Sequence, residues 1–88
     1  MIEFEFDPAK SLRNKNKHGI DFTEGQGLWK DSDLLEIRAR TVGEPRFIVV
    51  GRMEGRHWTA VITYRQGKTR IISIRPARKN ERELYESN

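Results

Sequence analysis

Between Arg46 and Arg75 the chain holds three runs rich in apolar and β-branched residues, with almost nothing to join them. Arg46–Arg52 and Arg56–Tyr64 are separated only by Met53–Gly55, and the next run, Thr69–Arg75, follows Arg65-Gln66-Gly67-Lys68. Links this short cannot carry a crossover, so the runs predict neighbouring antiparallel strands. Gly67 supplies the positive φ that a tight hairpin needs, and Pro76 closes the last strand. The rest of the chain must be arranged around this sheet.

Before it, Ile2, Phe4 and Phe6 alternate with Glu3, Glu5 and Asp7, the pattern of a half-buried strand with a wet acidic face. Asp7-Pro8 then predicts a helix start and Gly19 its end, with Lys15, Lys17 and His18 in the last turn. The apolar stripe of this helix is thin, mainly Ala9 and Leu12. Asp21 and Glu24 stand at capping-box spacing ahead of a short second helix, about Phe22 to Trp29. Its Gly25 and Gly27 weaken it but allow close approach to a sheet, with Phe22, Leu28 and Trp29 as core. Leu34–Thr41 reads as another strand, ended by a turn at Gly43 and Pro45. Ala77–Ser87 reads as a final helix that Asn80 can cap. The expected order is β-α-α-β-β-β-β-α. That is one α+β domain, a small twisted, largely antiparallel sheet flanked by helices.

With 88 residues there is one small core, and without Cys neither disulfides nor thiolate zinc sites exist. The two His lie far apart, so no metal site is expected. Phe47–Val50 is too short to span a bilayer, and the acidic opening is unlike a secretory signal. The expectation is a cytoplasmic protein without membrane contact. The formal net charge is +4, and its distribution carries more information than its sum. Lys10, Arg13, Lys15 and Lys17 occur in a stretch without acids; so do Arg56, Arg65, Lys68, Arg70, Arg75, Arg78 and Lys79. Acids gather at 3–7, 21–36 and 81–86. Such segregation suggests a polyanion-facing surface, nucleic acid first among the choices, although a well-solvated basic surface has the same composition.

The stretch Phe4-Glu-Phe-Asp-Pro-Ala-Lys10, Asn14, Lys17-His-Gly-Ile20 and Phe22 resembles the opening of the BrnT toxins. Gly43-Glu44, Arg46, Gly51, Tyr64, Arg70-Ile-Ile-Ser-Ile-Arg75, Ala77-Arg78, Glu81-Arg82 and Tyr85 extend the resemblance over nearly the whole chain. It departs at His57-Trp58, where many relatives have an aliphatic strand start, and at Pro76, where a further Arg is common. The resemblance implies a RelE-like fold and a ribonuclease of a type II toxin–antitoxin pair. It also implies a BrnA-like antitoxin with a ribbon-helix-helix DNA-binding element, through which the complex reaches its operator DNA.

The expectation is a ribonuclease that uses no metal or other cofactor. It holds an RNA phosphate in line for attack by the 2′-hydroxyl, stabilises added negative charge and moves two protons. Arg75, at the end of a buried strand, is the first candidate for the charge, because its planar fork matches phosphate oxygens. The competing reading is an edge Arg paired with a carboxylate such as Glu81. Arg52 is a second clamp or the partner of Glu54 in a hairpin ion pair. Tyr64 can stack a base or donate a proton, or simply pack. Lys17 and His18 offer charge and proton transfer, or a helix C-cap. Arg70 alternates with Ile72 and Ile74; Arg78, Arg82 and Tyr85 line the site or meet the antitoxin; Lys10, Arg13 and Lys15 steer RNA. His57 has no evident partner and reads as surface. No carboxylate is placed to make His18 a strong base, so a non-catalytic nucleic-acid-binding module and a structural partner of a repressor remain as alternatives.

Overall fold

The computed structural model describes residues 1–88. The order is β1 (Phe4–Glu5), α1 (Pro8–His18), a 3₁₀ helix (Glu24–Lys30), β2 (Leu35–Arg38), β3 (Phe47–Met53), β4 (Arg56–Arg65), β5 (Lys68–Pro76) and α2 (Lys79–Glu86). The five strands form one sheet in the order β1-β5-β4-β3-β2. The three hairpin strands are antiparallel as expected, and β2 adds antiparallel to β3. The sheet is nonetheless mixed, because β1 runs parallel to β5. β1 and β5 are not consecutive: α1 and the 3₁₀ helix carry the chain to the far edge of the sheet, where β2 begins, and the antiparallel succession β2-β3-β4-β5 brings β5 back beside β1 in the same direction.

Both tight turns have two consecutive positive φ values, Glu54-Gly55 and Gln66-Gly67. That is the backbone that matches the twist of paired strands. α1 starts at Asp7, whose Oδ1 accepts from the Ala9 N–H at 2.9 Å, and stops at Gly19 with φ 79°. The Asp21–Glu24 capping box forms, but the helix that follows is 3₁₀ and starts two residues later than expected. At Gly25 a Cβ would stand 2.0 Å from Ile74 Cδ1, so the glycine lets this helix lie flush on β5. α2 is capped by Arg78 rather than Asn80, with Glu81 reaching back to the Arg78 N–H.

One face of the sheet, under α1 and the 3₁₀ helix, carries the main core: Phe22, Leu28, Val49, Ala60, Ile62, Ile71 and Ile74 are almost fully buried there. Trp29 is only half-buried, edge-on to Phe4 at 4.9 Å. The other face carries a small cluster of Val50, Ala77 and Tyr85 beneath α2. The expected apolar stripe of α1 does not form: Ala9 and Leu12 are exposed, and Ser11 and Asn14 are buried. Those two polar side chains serve backbone groups that would otherwise lack partners. Ser11 Oγ accepts from Phe22 N–H, and Asn14 binds both the N–H and the C=O of Ile74 on the outer edge of β5, beyond the end of β1. No helix is long and apolar enough to cross a membrane.

Candidate active site

Asn14 determines where α1 lies, and the residues three and four positions away follow it. Its Nδ2 donates to Ile20 O at 2.8 Å and Ile74 O at 2.9 Å, and its Oδ1 accepts from Ile74 N–H at 3.1 Å. Lys10, Lys17 and His18 therefore lie along the side of the helix that meets the β5 edge, and Arg13, four residues before Lys17, stands beside them. With Asn14, Ile72 and Ser73 they line a depression of about 370 Å³. The protein's ion pairs are Lys15–Glu24, His57–Glu86, Arg65–Glu44, Arg70–Glu5 and Arg75–Glu81. None includes a side chain of this groove. Lys10, Arg13 and Lys17 are exposed and His18 is half-buried. Lys15, expected to work with them, points elsewhere and is bonded to Glu24 at 2.8 Å.

A second cluster lies at the far end of β5, beneath α2. The Arg75 fork is bidentate to Glu81, at 2.7 and 2.9 Å. Glu81 Oε1 also accepts from Thr59 Oγ1 at 2.9 Å and from the Arg78 N–H at 2.7 Å. Four donors on one carboxylate, with Arg75 foremost, pull its pKa down to about 2 against the opposing effect of burial. Of the two readings of Arg75, the geometry realises the ion pair with Glu81. Arg52 makes no pair with Glu54; its side chain is exposed, and its backbone N–H donates to Asp31 at 2.8 Å. The same Asp31 oxygen accepts from the Tyr85 hydroxyl at 2.6 Å, and this bond, with burial, pushes Tyr85 up to about 12. His57, read as bare surface, has its Nε2 2.6 Å from Glu86 and its ring edge-on to Tyr85.

The remaining candidates stand apart. Tyr64 lies five residues along β4 from Thr59, so it points from the opposite face, roughly 16 Å away. Its hydroxyl donates to Glu36, and partial burial together with that carboxylate pushes it up to about 12. A phenol held this way is a poor proton donor at neutral pH. Arg70 does not share a face with Ile74. A bulge at Ile72 leaves that residue without a β4 partner and shifts the alternation, so that Arg70 opposes Thr63 and Arg75 opposes Thr59. Both arginines thus project from one face, with Arg70 3.5 Å from Glu5. Arg78 is exposed at the start of α2.

The protein-family model described as "Ribonuclease toxin, BrnT, of type II toxin-antitoxin system" matches residues 6–81. The chain belongs to this family. A comparison with curated proteins gives no match. Membership in the BrnT family makes this a ribonuclease toxin by descent, with a protein antitoxin as partner. The match covers the α1 groove and runs to Glu81, leaving Tyr85 and Glu86 of the second cluster outside it. No three His, Asp or Glu side chains come together in a way that could hold a metal ion. A larger hollow of about 570 Å³ runs along residues 38–43 but is lined by that segment alone, so no second element faces a ligand there.

Sequence reasoning missed three participants. Asn14 stood out as a landmark but not as the anchor of α1. His57 shares a β4 face with Thr59, an i, i+2 signal that the sequence does carry. Ser73 lines the groove next to the bulge, for which the sequence gives no cue.

Proposed function

We propose that this BrnT-family chain is a single-domain endoribonuclease that holds and cuts RNA in the groove between α1 and the edge of β5. The observation that carries the reading is the set of four basic side chains, Lys10, Arg13, Lys17 and His18, gathered around one depression without an acidic partner. A groove lined by cations attracts a polyanion and repels a divalent metal ion, which favours metal-independent cleavage. Arg13 and Lys17 hold the scissile phosphate, and the RNA supplies its own nucleophile. The 2′-oxygen bonds to phosphorus as the bond to the 5′-oxygen breaks; one proton leaves the 2′-hydroxyl and one reaches the departing 5′-oxygen. His18 exchanges one of these, and the cations meet the added charge on the phosphate. Ser73, on the opposite wall, offers a hydroxyl to a non-bridging oxygen.

The same proposal takes in a RelE-like reading of the helix-flanked sheet, a cytoplasmic setting, and a BrnA-like ribbon-helix-helix antitoxin that links the pair to its operator. One observation favours a weaker variant, binding without scission: no carboxylate stands behind His18 to orient its ring. Incubation of the purified protein with labelled RNA, with and without EDTA, decides between them. Cleavage is expected to survive EDTA and to fall roughly 10²–10⁴-fold in folded His18→Ala. Scission abolished by EDTA, or unaltered by His18→Ala, would overturn the proposed mechanism, and salt-dependent binding without cleavage would establish the weaker variant.

A further inference from the structure

The polar side chains beneath α2 form a continuous strip on one face of the sheet. Arg52 on β3 is directly opposite His57 on β4; Thr59, two residues on, shares its face; and Arg75 on β5 is opposite Thr59. Cross-strand neighbours of this kind stand about 5 Å apart, and i, i+2 neighbours about 7 Å. The sheet thus presents a guanidinium, an imidazole, a hydroxyl and a second guanidinium in a row. Above them α2 presents acids. Glu81 takes the Arg75 fork and the Thr59 hydroxyl, and Glu86 takes His57. Glu81 is only 6% exposed.

A carboxylate gripped by a planar fork and a hydroxyl occupies the place that two oxygens of a phosphate fit equally well. Both donors belong to the sheet and remain when the helix leaves. The hold of α2 is mostly polar. Tyr85 is its one buried apolar body, Leu84 is half-exposed, and an eight-residue helix has little stability of its own. The strip also continues into the groove: Ser73 lines that depression and shares the face of Arg75 two residues along β5.

We propose that the Glu81 carboxylate is an internal stand-in for an RNA phosphate, and that α2 is a cover over a second phosphate-binding surface formed by Arg75, Thr59, His57 and Arg52. The ligand is a phosphodiester backbone rather than an acidic protein segment. The row offers more cationic donors than one carboxylate can use, and it prolongs a groove already suited to a strand of phosphates. The proposal rests on the ribonuclease family but not on the role given to His18.

The test is NMR on the full ¹⁵N-labelled chain, as wild type, Glu81→Gln and Tyr85→Phe, the last removing only the bond to Asp31. Hydrogen exchange is expected to show α2 amides opening faster in both variants while β4 is unchanged. On adding inorganic phosphate, and separately a cleavage-resistant 2′-O-methyl RNA oligonucleotide, the Thr59 amide and the Arg75 Nε–H should shift in the variants. The oligonucleotide should bind there at least tenfold more tightly than in wild type. Arg75→Lys placed in the Tyr85→Phe background should abolish the response, and inorganic phosphate, which needs no strand in the α1 groove, should move the same two signals, which separates this proposal from the cleavage reading. If Glu81→Gln does not fold, Tyr85→Phe decides alone. The idea fails if α2 is as firmly held in Tyr85→Phe as in wild type, or if the two signals do not move. It fails equally if phosphate moves them and the RNA does not, or if an oligoglutamate peptide binds there in place of RNA.

Discussion

The two sides of β5 treat charge in opposite ways. Along its outer edge, Lys10, Arg13, Lys17 and His18 stand together around a depression that no carboxylate lines, and none of them is in an ion pair. On the face under α2, every basic group except the Arg52 guanidinium is matched: Arg75 by Glu81 and His57 by Glu86. Like charges held close to one another cost stability, whereas a buried, fully bonded ion pair is difficult to disrupt. The first arrangement makes sense as a surface whose counter-charge arrives from outside; the second closes on itself. A cation's value to function is therefore read less from its position on a strand than from whether the chain has already provided its partner.

The largest effect should come from breaking the closed end. Glu81→Ala leaves Arg75 and Thr59 without an acceptor in a mostly buried place, for a loss of about 3 kcal/mol in urea denaturation. The same carboxyl makes this end acid-sensitive. Its pKa lies near 2 in the fold and near 4.5 when free of partners. The stabilisation, on the order of 3 kcal/mol, is thus complete above pH 4.5 and disappears as pH falls towards 2. The urea midpoint of wild type should drop across that window, and Glu81→Ala should flatten the drop. A Glu81→Ala protein within 1 kcal/mol of wild type, on the order of a single hydrogen bond, would dissolve the contrast between the two regions.

How much of this could be read from the chain follows the range of the interactions. The hairpins, the Asp7 cap and the Gly19 stop are set by residues next to one another, and they lie where the sequence puts them. The parallel pairing of β1 is long-range and left no local mark. α1 misled because its amphipathicity is inverted. Apolar Leu12 faces solvent, and Asn14 goes inside, since the edge of β5 needed a donor and an acceptor at Ile74. The sequence places Arg75 at a strand end and offers Glu81 as a competing partner; which of its two roles Arg75 takes depends on how α2 docks. The bulge at Ile72, which puts Arg70 on the face shared by Ser73 and Arg75, lies inside the unbroken run Arg70-Ile-Ile-Ser-Ile-Arg75 and has no glycine or proline to announce it.

Asn14 stands between the two regions and should show an intermediate effect. Asn14→Ala strands the N–H and C=O of Ile74 and the C=O of Ile20, so a loss of roughly 2–3 kcal/mol is expected from the same denaturation curves. Asn14→Asp should be no better, because an acceptor would then face two carbonyls. Equal stability of Asn14→Asp and wild type would mean that α1 is anchored by something other than this amide.

The smallest effect on stability, and the sharpest separation of the regions, belongs to the groove. Lys10→Ala, Arg13→Ala and Lys17→Ala each remove an exposed side chain with no partner, and each should leave the fold within about 0.5 kcal/mol of wild type. Their cost should appear in binding instead. Every groove cation that neutralises a phosphate releases counterions, so each substitution should lower the slope of log affinity for RNA against log salt by about 1. Arg75→Ala should behave in the opposite sense, destabilising the protein while leaving the slope of the α2-closed form unchanged, because Glu81 already neutralises that charge. Titrations of one RNA oligonucleotide at several salt concentrations, run beside urea curves for the same variants, give both quantities. If the groove variants lose stability and keep their slope while Arg75→Ala does the reverse, the partnering of charge within the chain is no guide to where RNA binds.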